Sequence, residues 1–226
     1  MASTDDTVIR PLVSLDIGGT LATIDGPTLS GLLVAASPLD ATDARAIIRH
    51  LLHTAPAQTE AVIAGACAAL HLPVAAFPHQ RQPTRARLLP GATTAVRALA
   101  AHTTVVTLSN VTCVEAEDDL TQALDPWISG YHPSSRTGYA KPDTAAFAAV
   151  ATAHDTTVDD MIHVGDDWEC DVLGALAAGA RAVWVSRHRP IPDPSAVRRH
   201  GVGVAADVLA ASRLILDQLT GPPPRR

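Results

Sequence analysis

Four groups of polar residues in this sequence follow short apolar runs or lie in the loop before a helical pattern, and their chemical types suit the transfer of a phosphoryl group. They are Asp16; Ser109 with Asn110; Lys141; and the acidic group of Asp166, Asp167 and Asp171. An aspartate can act as a nucleophile toward phosphorus and form an aspartyl-phosphate. Several acidic side chains in one place repel each other unless a divalent cation such as Mg²⁺ lies among them, and a lysine and a hydroxyl can offset developing negative charge. These residues form one site only if the fold brings them together.

The elements between these residues predict such a fold. Four apolar runs predict strands: PLVSLDI, TTVVTLSN, DDMIHVGDD and ARAVWVSR. Helical patterns lie between them at residues 91–102, 143–154 and 168–179, the second with Asp143 as its cap and the third ending at Gly179. This alternation predicts an α/β fold with a Rossmann-like, doubly wound parallel sheet. Ligands of such sheets bind beyond the carboxyl ends of the strands, where the polar residues lie.

Residues 27–88 interrupt this alternation. Three helical patterns follow one another near residues 28–36, 40–53 and 58–71, and no strand is predicted among them. We therefore predict a small all-helical cap domain. The predicted organisation is a core formed by residues 1–20 and 88–220, a cap at residues 21–87, and a disordered tail at residues 221–226.

The composition excludes several classes of function. The chain has 226 residues, a formal net charge of −6 and no long basic run, so we expect no nucleic-acid partner. It shows no apolar run of transmembrane length and no secretory signal, and its three cysteines are far apart, which predicts a cytoplasmic protein that binds no membrane. Lys141 is the single lysine beside sixteen arginines, which suggests that chemistry retains it. No feature of the sequence indicates an oligomeric state.

The motifs DIGGTL, TLSN, GYAKPD and VGDDWECDVLGALAAGA resemble, in this order, the four motifs of the haloacid dehalogenase (HAD) superfamily. The resemblance implies Asp16 as the nucleophile, with Ser109 and Lys141 as further catalytic residues. It implies that a small phosphorylated or other anionic substrate is bound by Gly19, Thr20, Ser109, Asn110 and Lys141. It also implies that Mg²⁺ is bound by Asp16, the backbone carbonyl of Gly18, Asp166 and Asp171.

Gly18 departs from the family pattern, because phosphatases of this family usually carry a second aspartate there, which protonates the leaving group and activates water. General acid–base catalysis is typically worth about 10²–10⁴ in rate. We favour a Mg²⁺-dependent phosphatase for which this acid is dispensable. Its substrate is then an acyl phosphate with a good leaving group, or the proton comes from the substrate or from a residue such as Asp25 or His79.

Two alternatives stay open: a 2-haloacid dehalogenase-type hydrolase, and a non-catalytic homologue that binds a phosphorylated ligand or a partner protein. The phosphonate-cleaving branch of the family is disfavoured, because the predicted cap contains no lysine. The segment DIGGT also resembles the phosphate motif of sugar kinases. A sugar kinase is disfavoured because helical patterns follow this segment here.

Overall fold

A computed structural model describes residues 10–79, 84–115 and 123–220 of the chain. The strands of these residues are β1 (Leu12–Leu15), β2 (Ala22–Asp25), β3 (Arg85–Leu88), β4 (Thr104–Ser109), β5 (Gly130–Pro133), β6 (Met161–Gly165), β7 (Arg181–Val185) and β8 (Gly203–Ala205). Six of them form a parallel sheet in the order β5-β4-β1-β6-β7-β8. The other two, β2 and β3, pair antiparallel as a separate ribbon.

The helices of the described residues are α1 (Leu29–Ala36), α2 (Ala41–Leu51), α3 (Glu60–Ala69), α4 (Ala92–Ala100), α5 (Ser134–Thr137), α6 (Thr144–Ala153), α7 (Gly174–Ala178), α8 (Pro194–His200) and α9 (Val208–Thr220). Among the described residues, no helix combines the length and the apolar character needed to cross a membrane.

The central sheet is buried on both faces, which explains the continuous apolar character of its strands. Side chains of β1 alternate between the faces, so Val13 and Leu15 join one hydrophobic cluster and Leu12 joins the other. Helices α4 and α9 complete the first cluster, and α6 and α7 complete the second. The predicted Rossmann-like parallel sheet is confirmed, and each of the four predicted strands is present in it.

The helices of the core begin and end close to their sequence signals. The Asp143 carboxylate accepts a hydrogen bond from the Ala145 N–H at 2.9 Å and so caps α6. The helix predicted at residues 168–179 consists of a π-helical turn, Trp168–Leu173, followed by α7. It ends at Gly179, whose φ of 96° is the left-handed conformation that favours glycine.

A third hydrophobic cluster, separate from the sheet, holds α1, α2 and α3 together. Its buried members include Leu33 of α1, Ile48 of α2 and Ile63 of α3. Each helix has a side-chain cap at its N-terminus, contributed by Thr28, Asp40 and Thr59 respectively. We call residues 28–79 the helical segment.

The prediction of no strand between residues 27 and 88 is wrong at its end, because Arg85–Leu88 forms β3. This strand pairs with β2, with Ala22 opposite Leu88, so the ribbon leads the chain to the helical segment and back. Only four residues long, β3 alternates exposed arginines with half-buried Ala86 and Leu88, a pattern that resembles a polar loop. The predicted tail at residues 221–226 lies outside the described residues.

The separate cluster predicts a measurable contribution of the helical segment to stability. Leu33→Ala removes a fully buried side chain and should lower the free energy of unfolding by about 2–5 kcal/mol. Urea denaturation measures this change. Val74→Ala removes a half-exposed side chain of the same segment and should stay within about 0.5 kcal/mol of the unchanged protein. Equal effects of the two substitutions would contradict a packed core between these helices.

Candidate active site

Asp16, Ser109 and Asp166 lie side by side because their strands are neighbours. Strand β1 lies between β4 and β6 in the sheet. Asp16 directly follows β1, Ser109 ends β4, and Asp166 directly follows β6. The Asp16 N–H donates to the Val164 carbonyl at 2.8 Å, which fixes the end of β1 against β6. The carboxyl ends of three parallel strands therefore gather these side chains at one edge of the sheet.

Three carboxylates form a cluster at this edge. One oxygen each of Asp16, Asp166 and Asp171 lies within 4.8 Å of the other two. Two glycines allow this close approach. A Cβ at Gly19 would lie 2.6 Å from the Asp166 carboxylate, and a Cβ at Gly165 would overlap the side chain of Asp171. The spacing suits a divalent cation held by oxygen ligands.

Lys141 lies beneath this cluster and is 1% exposed. Its Nζ donates to Asp16 Oδ1 at 2.8 Å and to Asp171 Oδ1 at 2.6 Å. The side chain of Asn110 fixes the backbone of this lysine: Nδ2 donates to the Lys141 carbonyl at 2.7 Å, and Oδ1 accepts from the Lys141 N–H at 2.8 Å. Asn110 thus positions Lys141, and both ends of its amide are engaged.

Sequence reasoning missed a buried histidine that completes this network. His163 Nε2 lies 3.2 Å from Asp171 Oδ1, and its Nδ1 lies 3.0 Å from Ser14 Oγ. Ser14 and His163 are opposite each other on β1 and β6, and both are completely buried. The available signal was a polar residue in the middle of each apolar strand, LVSL and MIHVG. These contacts hold Asp171 in the orientation that reaches Lys141.

Burial and charge act differently on the two carboxylates that contact Lys141. Burial raises the pKa of Asp16 to about 7; the ammonium of Lys141 opposes this rise, and the charge of Asp171 adds to it. Burial would also raise the pKa of Asp171, but Lys141 and the hydrogen bond from His163 outweigh burial and lower it. Burial disfavours the charge of Lys141, yet the two carboxylates raise its pKa. Of the two carboxylates, Asp171 is therefore the one whose ionised form is stabilised.

Asp166 has a different partner, the guanidinium of Arg189. Arg189 Nη2 donates to Asp166 Oδ2 at 3.1 Å and to the Asp166 carbonyl at 2.6 Å. Burial raises the pKa of Asp166, and Arg189 acts against that rise. The neighbouring Asp167 instead caps the π-helical turn, since its Oδ1 accepts from the Cys170 N–H at 2.9 Å. Asp167 thus has a structural role outside the carboxylate cluster.

A cavity of about 300 Å³ opens beside these residues. Gly18, Ser109 and Asn110 line it from the sheet edge, and Ser30 and His53 line it from the helical segment. A Cβ at Gly18 would meet no atom within 4 Å, so this position faces open space. The same cavity is therefore lined by Ser109 and Asn110, which are predicted to bind substrate, and by Gly18, where phosphatases of the resembled family usually carry an aspartate.

Four other residues singled out in the sequence lie elsewhere. Gly19 and Thr20 line a second cavity of about 320 Å³, and the completely buried Thr20 hydroxyl has no hydrogen-bond partner. Asp25 pairs with Arg87 at 3.3 Å on the exposed ribbon. His79 lies with its ring 5.0 Å from that of Phe77. Neither Asp25 nor His79 lines the 300 Å³ cavity, so the two candidate proton donors are not placed beside Gly18.

Comparisons with known proteins agree with this geometry. Residues 138–213, which include Lys141, Asp166 and Asp171, match the HAD-hydrolase-like family. A stretch of 81 residues is 37% identical to phosphoserine phosphatase from Thermus thermophilus, and it covers 36% of this chain and 32% of that protein. The chain thus matches about a third of the length of this relative.

Two solved structures share the fold. The 2-haloacid dehalogenase from Pseudomonas syringae pv. Tomato DC3000 has a TM-score of 0.58 and 17% identity, covering 92% of this chain and 99% of that one. The YfnB protein from Bacillus subtilis, solved bound to magnesium, has a TM-score of 0.57 and 16% identity, covering 95% of this chain and all of that one (100%). At these identities the likeness concerns the fold.

The buried position of Lys141 predicts a large effect of its removal. Lys141→Met leaves Asp16 and Asp171 buried without their cation and should lower the free energy of unfolding by about 3–5 kcal/mol at pH 8. Without the ammonium the pKa of both carboxyls rises, so the folded protein binds protons more tightly than the unfolded chain. The loss should therefore shrink as the pH is lowered toward 5. Urea denaturation at the two pH values measures it.

Arg213→Met is the matched control, because it removes an exposed cation from α9. It should change the stability by less than about 0.5 kcal/mol at either pH. A Lys141→Met effect that is the same at both pH values would contradict the pairing with two carboxylates.

Proposed function

We propose that this chain is a member of the haloacid dehalogenase superfamily and a Mg²⁺-dependent phosphatase, which hydrolyses a small phosphorylated metabolite through an aspartyl-phosphate on Asp16. The observation that carries the proposal is the cluster of Asp16, Asp166 and Asp171 above the buried Lys141. The partial match to a phosphoserine phosphatase supports the same reaction class.

The donor set of the cluster suits Mg²⁺. Its three members offer carboxylate oxygens, the ligand type that this ion prefers. Asp171 already accepts hydrogen bonds from Lys141, His163 and the Asp167 N–H, so its role is to support the site while Asp16 and Asp166 hold the ion. The backbone carbonyl of Gly18 is the further predicted ligand. When bound, Mg²⁺ would neutralise phosphoryl oxygens during transfer.

The residues of the chain then have distinct roles in the reaction. Lys141 holds Oδ1 of Asp16, which leaves Oδ2 as the attacking atom. As Oδ2 bonds to phosphorus, the bond from phosphorus to the leaving oxygen breaks, and this oxygen takes a proton from water, since position 18 carries no acid. Ser109 and Lys141 offset the charge on the transferring group. Water then attacks the phosphorus of the aspartyl-phosphate and loses a proton to solvent, the bond between Oδ2 and phosphorus breaks, and the Asp16 carboxylate is restored.

The carboxylate cluster also separates this proposal from the alternatives. A dehalogenase uses an aspartate nucleophile without a metal ion, so it gains nothing from Asp166 beside Asp16. A non-catalytic homologue has no need of a nucleophile held at hydrogen-bond distance from a buried lysine. Both alternatives nevertheless predict distinct outcomes in the assays that follow.

Phosphate release from a panel of phosphomonoesters and acyl phosphates tests the proposed reaction. With Mg²⁺ we expect turnover that EDTA abolishes and that Asp16→Asn lowers by about 10³-fold or more, since the nucleophile is lost. Asp217→Asn, which changes an exposed acid of α9, should leave turnover unchanged. Halide release from a 2-haloacid without Mg²⁺ would instead identify a dehalogenase, and a panel without turnover would contradict a phosphatase.

The open space at Gly18 predicts a gain of function. Gly18→Asp places an acid where nothing lies within 4 Å of the new Cβ. It should raise kcat for alkyl phosphates by about 10²-fold, because their leaving groups need a proton, and should change acetyl phosphate turnover little. Gly18→Asn is the control of equal size without a transferable proton. Equal rates for the two variants would show that position 18 takes no part in proton transfer.

A further inference from the structure

The helical segment contributes a neutral polar pair to the cavity beside Gly18. His53 Nε2 lies 2.9 Å from Ser30 Oγ, and both residues line the cavity. Burial and the nearby charge of Arg49 lower the pKa of His53 to about 4. The imidazole is therefore uncharged near neutral pH, and the pair can exchange hydrogen bonds with a ligand without adding charge.

The described arginines of the predicted cap add no positive charge to the lining of the cavity. Arg45, Arg49, Arg85 and Arg87 all lie outside the lining of the cavity, and Arg81 lies outside the described residues. Within the described part of the predicted cap, the side facing Gly18 thus presents no cation. Several of its other lining residues, such as Ile24 and Ala86, are apolar.

Two charged residues do line the cavity, from the other side. The carboxylate of Glu115 accepts hydrogen bonds from the Leu29 N–H at 2.6 Å and from the Thr112 hydroxyl at 2.7 Å. Arg136 carries the opposite charge and is exposed, so water screens it. Among the described residues, the two charges of the lining are therefore opposite in sign and sum to zero.

An anionic leaving group would be costly in such a cavity. A carboxylate that loses its water among apolar groups needs a paired cation to compensate. A hydroxyl needs only a donor and an acceptor, which the pair of Ser30 and His53 supplies through the Ser30 hydroxyl.

We propose that the cavity selects phosphate monoesters whose alcohol part is uncharged, with Ser30 and His53 as its hydrogen-bond partners. This inference rests on the proposed function, because it assumes that the phosphoryl group lies at Asp16. It separates the chain from its phosphoserine phosphatase relative, since phosphoserine carries a carboxylate and an ammonium group. Ser30 and His53 are thus assigned as specificity residues.

Binding to the Asp16→Asn protein tests the inference without turnover. Glycerol 3-phosphate and 3-phosphoglycerate are a matched pair, because they differ by a hydroxymethyl group in place of a carboxylate. With Mg²⁺ present, calorimetry should show glycerol 3-phosphate binding at least about tenfold more tightly. Ser30→Ala in the same background should weaken glycerol 3-phosphate binding and leave 3-phosphoglycerate binding unchanged.

A charge-changing substitution adds a test by gain of affinity. His53→Arg in the Asp16→Asn background places a permanent cation in the cavity and should tighten 3-phosphoglycerate binding by about tenfold. His53→Gln keeps the cavity neutral and should retain the preference for glycerol 3-phosphate. His50→Arg, on the exposed side of α2, is the matched control and should change neither affinity.

The outcomes separate this inference from the proposed function. Equal or tighter binding of 3-phosphoglycerate by the Asp16→Asn protein would overturn the inference alone. The expected preference without phosphate release by the protein with intact Asp16 would overturn the phosphatase and leave the selectivity standing. Binding of neither compound would overturn the inference, while the phosphatase would still be decided by the turnover panel.

Discussion

The ammonium of Lys141 between two buried carboxylates is the interaction on which the rest of the site depends. Removing charges from water is costly, and the cost is offset only where the partners are in direct contact and otherwise hydrogen-bonded. The structure meets this condition from several directions: Asn110 holds the lysine backbone, and His163 and Ser14 hold Asp171. Asp16, the proposed nucleophile, is therefore positioned by buried groups that lie below the surface at which substrate would bind.

The features that the sequence predicts well are those with a local signal. Strand runs, the Asp143 cap and the Gly179 helix end each depend on neighbouring residues, and the structure has them at the expected places. The short strands β3, β5 and β8 have three or four residues with partial burial, so their pairing comes from tertiary contacts that no local pattern records.

The same distinction applies to the candidate site. Asp16 and the acids after β6 occupy motif positions at strand ends, and Lys141 occupies a motif position in the loop before α6. Sequence and topology are therefore enough to place them together. The pairing of Ser14 with His163 depends on the register of two strands 149 residues apart in the chain. His53 reaches the cavity because α1 and α2 pack together, and nothing near it in the sequence indicates this. Asp25 and His79 were candidates by residue type, and the fold directs both elsewhere.

The arginine bias of the chain has a practical consequence at its one lysine. Because Lys141 is the single lysine and is buried, it provides the single side-chain amine of the protein. A ¹⁵N label in lysine would therefore give one Nζ resonance, which arises from the centre of the site and needs no assignment by mutation. Amine-acylating reagents would meet this side-chain amine only in its shielded position. The chain thus carries a built-in spectroscopic reporter within its candidate site.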